Sequence, residues 1–338
     1  VALDYVEFLL FFFVMIETKP QVIPQRLAHN RALMDKFLKA RGIKSQFPPV
    51  EQQLESVVVK GLPPGSYNPS IIRHRGKLVM TYRFHETTAK TKLGIAELDE
   101  NFTVVRNETL NLDEDEGLSL EDAKLFEFKG ELWMNFVVSN WPNFPASQVK
   151  CVKLYKPDHW RCSDKDLYWL PCRQTMEKNH CPVVHDEVLN IVYRHNWQMD
   201  DGVWQVVFTP SDKREMKTPG MRWPYGEIRG GTPPLPYQDR LISFFHSRLN
   251  NEMPPVGHRY YMGALMMKAG KEFEMLAVSE RPILRGSEIG GDTSRFHFKP
   301  NVVIPYGAIE HEGGWLVSVG VNDSQCLLMK VKPENLNL

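Results

Sequence analysis

Short apolar stretches separated by polar turns run through the chain in a rhythm that recurs five times. Each copy opens on a polar or Pro-containing step and passes through an apolar strand. It turns at Gly or Asp, climbs a second, aromatic-rich strand, and ends on polar or charged residues. The copies are Asn68–Ile72 with Gly76–Arg83, Glu121–Phe126 with Gly130–Phe136, Lys178–Val184 with Leu189–Arg194, Gly230–Leu235 with Arg240–His246, and Val302–Gly307 with Gly314–Gly320. A repeat of roughly 50–70 residues with about four strands in each copy is the pattern of propeller blades. The pattern predicts an all-β, five-bladed β-propeller with blades at about 66–105, 118–155, 177–210, 228–276 and 298–332.

Ahead of the repeats, residues 25–43 place Leu27, Leu33, Met34, Phe37 and Leu38 at helical spacing and predict one amphipathic helix, which Phe47-Pro48-Pro49 ends. Ser56–Lys60 reads as a strand that pairs with the last blade and closes the ring, removing open sheet edges. The expected division is an N-terminal extension over 1–60 and the propeller over 61–338, with the helix as a surface for self-association. Two long connections, 141–176 and 211–228, read equally as functional loops or as blade decoration.

Composition narrows the functional classes. The 338 residues carry 41 basic and 41 acidic side chains, which gives no bulk attraction for nucleic acid or for a membrane surface. The apolar run Phe8–Val14 is too short to span a bilayer, and Asp4 and Glu7 precede it where a secretion signal carries Lys or Arg. Five cysteines without a CxxC pair point away from a zinc site or a disulfide framework and towards a reducing, cytoplasmic setting.

A propeller gathers equivalent positions of every blade around one central pocket. The residues at the ends of the inner strand pairs include Asn68, Arg83, His85, Glu121, Asp122, Lys124, Lys178, Asn179, Arg194, His195, Arg229, Thr232, His246, Tyr306, Asn322 and Asp323. Any one of them can be a turn residue that bonds a neighbouring blade; the recurrence of the set at one place in the repeat points to a ligand site. Arg83, Lys178 and Arg194 bring positive charge and many donors, which suits phosphate or another anion. Glu121 and Asp122 are adjacent on a strand start, where side chains alternate, so one of the two is expected to face the pocket. A single acid beside a cationic cradle fits attack by phosphate better than the paired carboxylates of most glycoside hydrolysis. Asp323 is the second carboxylate, placed to orient a sugar hydroxyl.

These residues resemble the motifs of glycoside hydrolase family 130, five-bladed propellers that include β-mannoside phosphorylases and mannosidases. That family opens on Phe-Asn-Pro and ends its first hairpin on Arg; here stand Tyr67-Asn68-Pro69 and Arg83. Its second blade begins Glu-Asp-Pro-Arg, against Glu121-Asp122-Ala123-Lys124, and its third carries Lys-Asp and then His-Arg, against Lys178-Asn179 and Tyr193-Arg194. Gly230–Pro234, Phe245-His246, Tyr260–Ala264, Arg281–Leu284, Tyr306-Gly307 and Gly320–Asp323 follow in the family's order. The departures are Ala123-Lys124 in place of Pro-Arg, Asn179 in place of an acid, and an altered ending at Asn322-Asp323.

The resemblance implies an enzyme acting on β-mannosides by inverting phosphorolysis, with mannosyl transfer, hydrolysis or sugar binding without catalysis as alternatives. It implies Asp122 as the general acid, its proton passing by way of a mannose hydroxyl. Arg83, Lys178 and Arg194 would hold phosphate. Asn68, Glu121, Lys124, Asn179, His195, Arg229, Thr232, His246, Tyr306 and Asp323 would contact a mannose-containing oligosaccharide. Inorganic phosphate is the implied co-substrate, with no metal or organic cofactor.

Overall fold

The computed structural model describes residues 54–87, 90–112, 118–140, 147–156, 159–169, 178–198, 202–208, 213–218, 221–250, 258–270, 273–286 and 302–338, with backbone alone at 163–169, 193–198, 202–208, 213–218, 250 and 258–259. The predicted helix at 25–43 and the apolar run at 8–14 lie outside the described residues.

The described strands form five antiparallel sheets. After β1 (Ser56–Val58), blade one is β2 (Tyr67–His74), β3 (Lys77–His85), β4 (Thr91–Leu98) and β5 (Val104–Thr109). Blade two is β6 (Ser119–Phe128), β7 (Glu131–Ser139), β8 (Ser147–Tyr155) and β9 (Arg161–Trp169). Blade three is β10 (Cys181–His185), β11 (Val188–Gln198), β12 (Gly202–Phe208) and β13 (Lys213–Thr218). Blade four is β14 (Glu227–Arg229), β15 (Leu235–Tyr237), β16 (Arg240–Asn250), β17 (His258–Lys268), β18 (Met275–Val278) and β19 (Leu284–Arg285). Blade five is β20 (Val303–His311), β21 (Gly314–Val321) and β22 (Gln325–Val331), completed by β1.

Contacts between successive blades, through β2 and β6, β6 and β10, β11 and β14, β16 and β20, and β20 and β2, return to the starting blade and make the ring of a propeller. The apolar core lies between the sheets. Val79, Leu93 and Ile95 of blade one pack on Leu125, Leu132 and Met134 of blade two. Ile71, Met80 and Tyr82 pack on Ile309, Leu316 and Leu328 of blade five. Because each sheet is covered on both faces, the middle strands are buried along almost their whole length, as in β21 and β7. The outermost strand β5 alternates partly buried with exposed positions instead.

The ring closes as the sequence predicts. β1 pairs antiparallel with β22, Ser56 opposite Met329 and Val58 opposite Leu327. One sheet is thereby built from chain segments far apart in sequence, and β22 is paired on both sides. Of the two readings of the long connections, the described residues favour blade decoration: they hold the outer strands β9 and β13, which pair with β8 and β12. Both strands are rich in charged residues, Arg161-Cys162-Ser163-Asp164-Lys165-Asp166 and Lys213-Arg214-Glu215, so apolar alternation does not mark them.

Candidate active site

Four of the blades break their inner strand at an equivalent point. In blade one the pairing of β2 with β3 steps from Tyr67 opposite Arg83 to Ser70 opposite Thr81, leaving Asn68 and Pro69 as a bulge. In blade two it steps from Glu121 opposite Val137 to Lys124 opposite Asn135, leaving Asp122 and Ala123. In blade five Tyr306 is the extra residue, between Pro305 opposite Val319 and Gly307 opposite Ser318. Blade four divides the inner position between β14 and β15, both paired with β16, with Thr232 in the gap. In blade three Asn179 stands just ahead of β10. Asn68, Asp122 and Asn179 take left-handed backbone angles, with φ of 51°, 55° and 65°. Asn and Asp tolerate this conformation best among residues with a side chain, and a bulge re-aims the side chain it carries.

Three blades meet at Asp122. Its Oδ1 accepts a hydrogen bond from Asn68 Nδ2 at 2.9 Å and another from the Tyr306 hydroxyl at 3.1 Å. Arg83 Nη1 lies 3.5 Å from the same oxygen. Burial alone would push the Asp122 carboxyl up. The charges of Arg83, Lys178 and Lys124 and the Asn68 hydrogen bond outweigh it and hold the group below its usual value. The Tyr306 phenol is driven well above its ordinary range by burial and by the charges of Asp122 and Asp323, so it stays protonated and donates.

Strand alternation predicts Glu121 and Asp122 on opposite faces, and the structure corrects this. With Asp122 in the bulge, both carboxylates reach Arg83, Glu121 Oε1 at 3.0 Å from Nη2. Glu121 Oε2 also lies 2.7 Å from Lys178 Nζ, so one carboxylate bridges the two cations. Arg83 lies over the Tyr67 ring at 5.2 Å, and the Tyr67 hydroxyl bonds His85 Nε2 at 2.7 Å. Tyr67 stands directly opposite Arg83 in the sheet, and His85 is two residues further along the same strand face. The charge of Asp323 acts on Tyr67, Arg83 and Tyr306, which puts its carboxylate in the same cluster.

Other candidates are engaged elsewhere. Lys124 is buried and gives its ammonium to the His180 carbonyl at 2.9 Å, joining blade two to blade three. The Thr232 hydroxyl accepts from the Phe244 amide at 3.0 Å. Arg229 pairs with Glu227 at 2.7 Å. His246 is buried and stacked on Tyr260, and its Nδ1 has no partner among the described residues. Burial, with the charges of Arg229 and Lys124, drives the imidazole down to about 3, so it is neutral at ordinary pH. The side chains of Arg194 and His195 lie outside the described residues; their backbone follows a further register shift in β11. Tyr67 was legible as a neighbour of Asn68, but its place under Arg83 depends on the cross-strand register. Among the described residues no group of three or more His, Cys, Asp or Glu side chains is placed to hold a metal ion.

No protein-family model matches the chain, and no curated protein does. Solved structures are similar. A β-1,2-mannobiose phosphorylase from Listeria innocua, in complex with β-1,2-mannobiose, is 14% identical over 86% of this chain and 94% of its own, with a TM-score of 0.58. MPT-4, a mannose phosphorylase from Leishmania mexicana in complex with phosphate ion, is 13% identical over 90% and 93%, with a TM-score of 0.55. A protein reported with glycoside hydrolase family 130, described as mannoside phosphorylases that also contain hydrolases of β-1,2 mannosidic linkages in Candida mannan, is 12% identical over 86% and 93%, with a TM-score of 0.59. At these identities the likeness establishes the fold. The chain is a β-propeller of the architecture found in mannoside-acting proteins, as its motifs led one to expect.

Proposed function

We propose that this protein is an enzyme that cleaves β-mannosides by phosphorolysis with inversion, releasing mannose 1-phosphate. The observation that carries the reading is the Asp122 carboxylate, with one oxygen fixed by Asn68 and Tyr306 and the charges of Arg83 and Lys178 beside it. A sugar lectin needs no such cationic cradle. In the reaction a phosphate oxygen bonds to the anomeric carbon from the face opposite the leaving oxygen. The glycosidic C–O bond breaks, its electron pair goes to the leaving oxygen, and that oxygen receives the proton of Asp122 relayed through a mannose hydroxyl. Arg83 and Lys178, with Arg194, would hold the phosphate. Asn68, Tyr306, Asp323 and His246 would orient the mannose.

Asp122 is held ionised by the same cations that would bind phosphate. An anion seated on Arg83 and Lys178 offsets their pull and lets Asp122 take up the proton it must give. The nearest rivals are transfer of mannose to water or to a sugar acceptor, and non-catalytic binding. The substrate would be a mannose-containing oligosaccharide and the co-substrate inorganic phosphate. Among the described residues no helix is long and apolar enough to cross a membrane. Among the described residues Cys151 and Cys181 are free thiols, which favours a reducing compartment such as the cytoplasm.

The test is incubation with β-1,2-mannobiose with and without phosphate, with the products followed by phosphorus and proton NMR. Mannose 1-phosphate formed only with phosphate supports the proposal. Free mannose at an equal rate without phosphate replaces it with hydrolysis, and binding of the sugar without turnover replaces it with a binding module.

A further inference from the structure

Glu121 stands where an anionic ligand of Arg83 and Lys178 would stand. Its two oxygens are divided between the two cations, 3.0 Å from Arg83 Nη2 and 2.7 Å from Lys178 Nζ. The Glu121 and Arg83 side chains are nearly buried, at 11% and 14% exposed, so water screens the contact weakly. Lys178 is 30% exposed and lies ahead of β10 rather than inside it. Arg83, by contrast, is fixed between the Tyr67 ring and Asp122. Arg83 and Lys178 with Glu121 and Asp122 make two cations and two carboxylates, and this quartet carries no net charge. A phosphate that approaches the two cations therefore meets no excess of positive charge among these four, and it meets a carboxylate already bound to the donors it needs.

We propose that Glu121 is a built-in competitor for the anion position, and that its displacement sets the affinity of the site for phosphate. The inference rests on the reading of Arg83 and Lys178 as the phosphate cradle. It differs from a scaffold role, in which Glu121 would hold the two cations in place and its loss would weaken anion binding. The opposite signs of the two effects separate them.

The experiment is calorimetric titration of inorganic phosphate into the wild-type protein and into Glu121→Gln, which keeps the side-chain size and removes the charge. The expected result is phosphate binding at least tenfold tighter in the variant. Equal or weaker binding in a folded Glu121→Gln protein, with wild type binding phosphate, overturns the competitor role and leaves the phosphate reading standing. Phosphate binding to neither protein overturns both. Binding to the variant alone supports the competitor role in its strongest form. Should Glu121→Gln not fold, Glu121→Asp serves: it keeps the charge but is one methylene too short to span both cations, so tighter binding than wild type supports the role, and equal or weaker binding overturns it.

Discussion

The side-chain amide of Asn68 donates to Oδ1 of Asp122 at 2.9 Å, joining two residues 54 positions apart that occupy the same point of successive repeats. Both sit in bulges and both are left-handed. Two residues that look alike as strand irregularities thus form one working pair. The backbone strain of each, on the order of 1 kcal/mol or more, is held in place by the pairing around it. Blade five supports the pair from the other side. Tyr306 donates to the same oxygen, and Gly320 lies against Asn68 so closely that a Cβ there would come 2.0 Å from Asn68 Oδ1.

Gly320→Ala is therefore expected to disturb Asp122 without touching it. The added methyl must push the Asn68 amide away, an overpacking change that costs about 1–3 kcal/mol of stability. With Asn68 displaced, Oδ1 loses a donor. The catalytic constant should fall by about tenfold, because a hydrogen bond to a charged group is worth roughly 1.5–3 kcal/mol. Steady-state kinetics beside a thermal melt checks this; a variant with a lowered melting temperature and unchanged turnover would detach Asn68 from the acid.

Lys178 offers a different signature. Lys178→Ala removes one of the two cations nearest Glu121 and leaves the Asn68–Asp122–Tyr306 arrangement intact. The Michaelis constant for phosphate should rise roughly tenfold to a hundredfold, the equivalent of one charge-assisted hydrogen bond. That for the mannoside should change little. Initial rates over a grid of the two substrates separate the constants, and equal effects on both would move Lys178 out of the phosphate position.

Much of this arrangement is legible in the chain, and the part that is not has a definite physical cause. The repeat, the closing strand at Ser56–Val58 and the equivalence of Asn68, Asp122, Thr232 and Tyr306 can be read because blade cores demand apolar strands and regular turns. The outer strands β9 and β13 escape because an outer edge faces water and tolerates charge. Glu121 stands in the candidate set, but the side it faces is misread for another reason. Alternation assigns it to the face opposite Asp122, and one left-handed residue cancels alternation, since an inserted position puts both neighbours on one side. Lys124 and Thr232 are polar at the right place for a ligand, and the joints between blades and strands draw on the same polar atoms: Lys124 donates to the His180 carbonyl and Thr232 accepts from the Phe244 amide.

His246 predicts a pH effect on stability. Its imidazole is neutral in the folded protein down to about pH 3, chiefly because it is buried, whereas in the unfolded chain it protonates near its ordinary value of about 6.5. Between these values the unfolded state binds one more proton. Stability is therefore lost as pH falls through this window, by up to about 1.4 kcal/mol per pH unit from this residue. His246→Gln, which cannot titrate, should show a shallower decline of urea-unfolding free energy between pH 6 and 4 than wild type. Parallel declines would mean that the imidazole is charged or hydrated in the folded state.

Asp122→Asn is the sharpest division between enzyme and binder. The substitution keeps the size of the side chain and an oxygen to accept from Asn68 and Tyr306, and removes the proton the leaving group needs. If Asp122 is the acid, turnover should fall by about two to four powers of ten, the range for positioned acid–base groups. Affinity for mannobiose, measured by calorimetry, should change little. Phosphate affinity should not weaken, because a negative charge beside Arg83 has been removed. Aryl mannosides with good leaving groups should lose less activity, since their departing oxygen needs less protonation. The wild-type alkaline limb, where the rate falls as Asp122 loses its proton, supplies a second reading: phosphate saturation should move it to higher pH, because an anion on Arg83 and Lys178 offsets the charges that hold Asp122 ionised. The variant should lack that displacement. A variant that turns over mannobiose at the wild-type rate would remove Asp122 from the chemistry and return the cluster of Asn68, Asp122 and Tyr306 to a role in binding the sugar.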